Sequence, residues 1–246
     1  MALIKNLIFY CYINNNNIDE TTQLHLNCLK MYADIFNGQK IIFISVDNDN
    51  NRENIVELFS FLKNPTIEFV KNNPDTREST HFIESISKVD DNDSITFYCH
   101  NKGSTHILDE SLVYWIHIMY FFNLYNKLLD NIEYNLKNHI MSGVLRKKAV
   151  CEQHGLLSSW HYSGAFFWIN MKKIKKIENW RNIKIHRMGL EFYPSLISSF
   201  EDSCCSFCSE DYNFDMDISF FKSKIEKIDQ DTLEIFKKNT NLIWKK

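Results

Sequence analysis

Apolar and polar positions fall in alternating blocks along this chain, and the blocks read in turn as strands and helices. Residues 3–13 form an apolar run ending in Tyr10-Cys11-Tyr12 and predict a first core strand. Polar residues 14–20 predict a loop, after which Thr21 or Thr22 caps a helix reaching about Phe36, stopped by Asn37-Gly38. Residues 40–46 predict a second strand, followed by Asp47-Asn48-Asp49. Val56, Leu58, Phe59 and Leu62 give helical spacing over 53–63, Pro65 ends that helix, and 67–70 predict a third strand. A polar loop over 72–76 leads to a helix over about 77–88, and 94–99 read as a buried fourth strand.

Beyond it the pattern predicts one long helix over 110–136, strands at 139–145 and 164–170, a helix over 191–199 and a helical stretch over 218–238. Strands alternating with helices imply right-handed crossovers and a mainly parallel sheet. The expected fold is α/β, a single Rossmann-like, mainly parallel sheet flanked by helices. One domain is expected over 1–246, with 201–246 a helical extension.

Composition narrows the function classes. The chain has 246 residues, enough for one domain with a full core. Its net charge of −3 argues against nucleic-acid binding through a broad basic surface, which needs many phosphate neutralisations. The first ten residues read as a strand and not as a signal peptide, so a cytoplasmic protein is expected. The aromatic run 113–129 contains His117, Asn123, Asn126 and Lys127 and reads as a buried helix, not a transmembrane segment. Seven cysteines without a secretory segment read as reduced thiols. Cys204-Cys205-Ser206-Phe207-Cys208 is half of a zinc pattern, and no second pair follows.

In an open α/β sheet the ligand lies beyond the carboxyl ends of the strands. Those ends carry Tyr10 to Tyr12, Asp47 and Asp49, the loop before Arg77, and His100-Asn101-Lys102-Gly103. No Gly-rich fingerprint follows the first strand, and no Gly-x-Ser-x-Gly elbow occurs. Two segments break ordinary core patterning. His100-Asn101-Lys102-Gly103 puts an imidazole, a cation and a permissive backbone at a strand end. His161-Tyr162-Ser163-Gly164-Ala165-Phe166-Phe167-Trp168 sets an imidazole and a glycine before an aromatic cluster. His186-Arg187 is a further candidate for diphosphate contact, and Asp215-Met216-Asp217 is a metal motif by spelling.

The order of these features resembles the A-type glycosyltransferase nucleotide-sugar domain. More closely, residues 1–200 resemble a group of glycosyltransferase-like proteins of bacterial and large-virus glycan clusters. That group's pattern is His-x-Lys-Gly, a Trp-containing helix, His-x-Ser-Gly-x-Phe-Trp-Trp and a helix carrying Glu. Here those positions are His100, Lys102 and Gly103, then Trp115, then His161, Ser163, Gly164, Phe166 and Trp168, then Glu191. Phe167 stands where the group has Trp, and His-x-Lys replaces the wider fold's Asp-x-Asp.

The resemblance implies transfer of a sugar from a nucleotide-diphosphate sugar donor to a glycan acceptor hydroxyl, with a divalent cation (Mn or Mg) as a candidate helper. It implies Tyr10, Cys11, Tyr12, Asp47 and Arg77 as nucleotide contacts, with His161 and Gly164 shaping the sugar pocket. Lys102 and His100 would meet charge on the departing diphosphate, by a point charge, a hydrogen bond or a bound metal. Glu191 would be the base toward the acceptor. A non-catalytic nucleotide- or glycan-binding module on the same fold is the alternative.

Overall fold

The run of β-branched and aromatic residues at the start of the chain is an interior strand because both its faces meet apolar layers. In strand β1 (Ile4–Ile13), Leu7, Phe9, Cys11 and Ile13 join one core, while Ile8 and Tyr10 join the other. The computed structural model describes residues 3–13, 18–47, 52–90, 93–101, 107–148, 151–153, 156–186, 188–210 and 218–244. Asp49, Lys102, Gly103, Arg187 and Asp215-Met216-Asp217 lie outside the described residues.

Further strands are β2 (Lys40–Val46), β3 (Thr66–Lys71), β4 (Ser94–His100), β5 (Met141–Lys147), β6 (Cys151–Gln153), β7 (Leu156–Ser158), β8 (His161–Tyr162), β9 (Phe167–Asn170) and β10 (Ser203–Glu210). The main sheet runs β10-β5-β9-β4-β1-β2-β3, with β8 added beside β5. The pairings β3 to β2, β2 to β1, β1 to β4 and β5 to β10 are parallel. β9 lies antiparallel between β4 and β5, and β8 is antiparallel to β5. The Rossmann-like α/β sheet expected from the sequence is present, with this antiparallel wedge in it.

Helices α1 (Glu20–Met31), α2 (Arg52–Glu57), α4 (Glu110–Leu124), α5 (Asn126–Leu136), α8 (Ile218–Ile225) and α9 (Gln230–Trp244) cover one face; α3 (Ser79–Lys88), α6 (Met171–Ile174) and α7 (Gly189–Ile197) cover the other.

Three expectations are corrected. The N-cap of α1 is Asp19, not Thr21 or Thr22. Its carboxylate accepts from the Thr22 N–H at 2.7 Å and the Thr22 hydroxyl at 2.9 Å, and a negative charge suits the helix start. The helix expected over 110–136 breaks at Tyr125, which is extended at φ −66° and ψ 124°. There the Asn123 carbonyl accepts from the Trp168 indole at 2.9 Å, while the Asn123 amide donates back to the Met119 carbonyl at 2.8 Å. The segment after residue 200 is not purely helical, since β10 extends the sheet and Phe207 stacks on Phe122 at 3.9 Å.

Inside the face formed by α1, α4 and α9, His117 borders a cavity of about 10 Å³. Its Nδ1 stands 3.7 Å from the Cys28 sulfur, and its Nε2 has no hydrogen-bond partner among the described residues. Burial pushes this imidazole down to about 4. An unfolded chain therefore binds a proton here at about pH 6.5 that the folded chain takes up only near 4. The contribution of neutral His117 is full above about pH 6.5 and is lost as pH falls toward 4, to a total of about 3 kcal/mol. Urea titrations at pH 7 and 4.5 should show that loss in the wild type and much less of it in His117→Gln. Equal losses in both would assign the acid sensitivity to other groups.

Candidate functional site

The strands β1 to β4 are parallel, so their carboxyl ends open on one edge, and most of the singled-out residues gather there. His100 is the last residue of β4 and pairs in register with Tyr10 of β1. Asn101 splices these two ends. Its backbone N–H donates to the Tyr10 carbonyl at 3.2 Å, and its side-chain oxygen accepts from the Tyr12 N–H at 2.8 Å. Its amide nitrogen donates to the Tyr12 carbonyl at 2.6 Å and to the Thr22 hydroxyl at 2.8 Å. These bonds hold the β1 and β4 ends together beyond the ladder, giving the edge a rigid centre.

Toward β2 and β3, the Tyr12 hydroxyl donates to Asp47 at 2.9 Å, and the Asn72 amide donates to the other Asp47 oxygen at 2.9 Å. Burial and this carboxylate raise the Tyr12 phenol to about 12, so it stays protonated and donating at neutral pH. Tyr10 is buried and stacks on His81 with ring centres 6.4 Å apart. Burial pushes its phenol up as well. Arg77 is exposed in a left-handed turn at φ 47°, tied back by its N–H to the Asn73 carbonyl at 2.7 Å, and it precedes buried Glu78 and α3.

Cys11 departs from its expected role. It is fully buried on the opposite face from Tyr10, as the two-residue period of a strand requires, and burial drives its thiol pKa up. Its side chain offers nothing to a ligand at this edge.

The second motif folds back onto the first. After β8, residues 163–165 make a tight turn in which Gly164 has φ +77°. The Gly164 carbonyl accepts from His100 Nε2 at 2.8 Å, across 64 residues of sequence. A Cβ on Gly164 would lie 2.1 Å from Cζ2 of Trp115, so the Trp-bearing helix packs on the backbone of this turn. Phe166 fills the space between Trp115, at 5.6 Å, and the His100 ring, at 5.7 Å. His161 lies across from Lys147 of β5 and packs on Phe192 of α7. Glu191 stands half-buried in the first turn of α7, a helix that packs on β8 and the 163–165 turn. Trp168 is fully buried with its indole bonded to Asn123, which makes it core. His186 braces the approach to α7: its carbonyl accepts from the Ser79 hydroxyl at 2.7 Å, and its Nδ1 from the Met188 N–H at 3.2 Å.

Three residues without an expected role belong to this edge. Asn101 is the splice. Glu78 is buried with its carboxylate 3.6 Å from His100 Nδ1. Lys147 is a buried cation ending β5. The signal for Lys147 was the one used for Lys102, a cation closing an apolar strand. Glu78 carried no such signal, because an acid next to an arginine in a polar loop reads as solvated.

A divalent cation does not fit the described residues. Among them no group of three His, Cys, Asp or Glu is placed to hold a metal ion. His100 directs Nε2 at a carbonyl, and Asp47 spends both oxygens on Tyr12 and Asn72. The metal-ligand role considered for His100 is therefore not supported. The Cys205 sulfur bonds to the Phe207 and Cys208 carbonyls, within its own bulged strand.

No protein-family model matches this sequence, and no curated protein matches it. Among solved structures, the chain is similar to 4-diphosphocytidyl-2C-methyl-D-erythritol synthase from Anaerococcus prevotii. The two are 10% identical, with 97% of this chain and 96% of that one covered, at a TM-score of 0.42. A cytidylyltransferase from Leptospira borgpetersenii is 11% identical over 98% and 97% of the two chains, at 0.45. A candidate nucleotide-diphospho-sugar transferase from Desulfovibrio desulfuricans is 8% identical over 97% of each, at 0.38. Likeness of this depth carries no functional weight, and the fold is read from the strand order itself. Among the described residues no helix is long and apolar enough to cross a membrane.

Proposed function

We propose that this protein is a glycosyltransferase that moves a sugar from a nucleotide-diphosphate donor to a hydroxyl of a glycan acceptor. One observation carries the reading: His100 of the strand-end motif is bonded to Gly164 of the second motif, at the edge where an α/β sheet binds ligands. The nucleotide lies across the ends of β1 to β3, against Tyr10, Tyr12, Asp47 and Arg77. Lys102 meets the charge that develops on the departing diphosphate. His161 and the Gly164 backbone line the sugar pocket.

Glu191 is the base toward the acceptor hydroxyl in an inverting transfer. Glu191→Gln keeps the shape and removes the basic carboxylate, so transfer should fall about 100-fold or more while donor affinity holds. Steady-state kinetics with a donor titration check this. A collapse of donor affinity instead would move Glu191 to the donor site.

The deciding experiment is a thermal-shift screen of nucleotide-sugars, followed by assay of free nucleoside diphosphate with and without acceptor glycans. Acceptor-dependent release supports transfer. Binding without release identifies a binding module, and release of pyrophosphate from a nucleoside triphosphate would identify a nucleotidyl transfer instead.

A further inference from the structure

We infer that Glu78 is a positioning residue that holds His100 as a doubly protonated imidazolium, clamping the strand-end motif to the second motif. The inference starts from which atoms can donate. A backbone carbonyl only accepts, so the 2.8 Å contact with Gly164 requires a proton on His100 Nε2. The other ring nitrogen then either keeps a lone pair or takes a proton from solvent. A carboxylate oxygen of Glu78 stands 3.6 Å from it, longer than a hydrogen bond but well inside ion-pair range.

Both partners are buried, His100 at 8% exposure and Glu78 at 6%. A carboxylate left alone at that depth is costly, and so is an isolated imidazolium. Together they balance, and water screens the pair little.

Other titratable and charged groups stand at this corner. Tyr10 on β1 and Tyr98 on β4 are held neutral by burial, and the charge on Glu78 pushes both phenols further up. Arg77 acts on Tyr10 from the same turn. Phe166 packs on the His100 ring and itself meets Trp115 and His25.

For catalysis, the consequence rests on the donor-site reading above. A His100 engaged at both nitrogens is no metal ligand, and Glu78 neutralises its charge. It is a brace that fixes the backbone of the 163–165 turn against the end of β4. The positive charge proposed to meet the diphosphate is then that of Lys102 and not that of His100.

The test is nitrogen-15 NMR of histidine-labelled protein from pH 5 to 9, with His100 assigned by the signal missing in His100→Gln. Both His100 nitrogens should carry protons at pH 7.5. In Glu78→Gln, nearly isosteric, the His100 midpoint should drop by about 1–3 pH units, leaving the Nε2–H form. That form keeps the bond to Gly164 but without charge assistance, so donor affinity should fall at pH 7.5 and recover below the new midpoint, a pH rescue that simple structural damage would not give. A wild-type His100 with one proton at pH 7.5, or a midpoint unmoved by Glu78→Gln, overturns the inference. Should Glu78→Gln fail to fold, the wild-type protonation state decides alone. Failure of every nucleotide-sugar to bind would refute the proposed function while leaving the titration result intact. Donor binding with an unmoved midpoint would refute only the role of Glu78.

Discussion

Replacing Gly164 with alanine should cost this protein about 2–5 kcal/mol of stability and abolish donor binding. Two independent penalties act at that position. The backbone sits at φ +77°, where an L-residue is strained, and the new methyl would lie 2.1 Å from the Trp115 ring. Neither neighbour yields easily, since Trp115 is buried against Phe166 and the turn is fixed by His100. Thermal denaturation should show a melting temperature lower by about 5–15 °C. Adding Trp115→Leu should recover part of the loss by removing the overlap but not the φ strain. An unchanged melting temperature in Gly164→Ala would mean that the turn and the Trp115 helix are not packed as described.

Lys102→Ala should lower donor-dependent turnover by about 10²–10³-fold with little change in melting temperature. The reason lies in how the neighbouring residues are already engaged. His100 is engaged with Gly164 and faced by Glu78, and Asp47 is tied to Tyr12 and Asn72. A departing diphosphate needs a counter-charge, and Lys102 follows His100 by two residues in sequence. Turnover equal to wild type in a folded Lys102→Ala protein would make this lysine a solvated surface group. The charge argument would then fail.

Strands β1 to β4 were legible because their apolar runs are rich in Ile, Val and Phe and are punctuated by Asn, Asp, Gly and Pro. Strand β10 was not, because its Ser-Cys-Cys-Ser-Phe-Cys-Ser run spells no hydrophobic period, and a bulge between Cys205 and Phe207 breaks its register. The break at Tyr125 was hidden for a different reason. It depends on Trp168, a residue distant in sequence, taking a carbonyl at the end of α4. The same locality limit applies to the site. Each motif could be recognised within its own segment, but their meeting at His100 and Gly164 is a tertiary fact. Cys11 was misjudged by ignoring its alternation with Tyr10 and Tyr12, a rule the sequence already contained. Glu78 needed the structure, since nothing local distinguishes a buried acid from a solvated one.

The wedge strand β9 has a mechanical consequence. β4 and β5 do not pair with each other, so within the sheet the half made of β1 to β4 and the half made of β5, β8 and β10 are joined through the four residues of β9, 167–170. The chain enters this strand from His161 through the turn at Gly164, and Trp168 pins it to α4. The seam between the two half-sheets and the wall of the proposed sugar pocket are therefore one splice, and neither can loosen without the other.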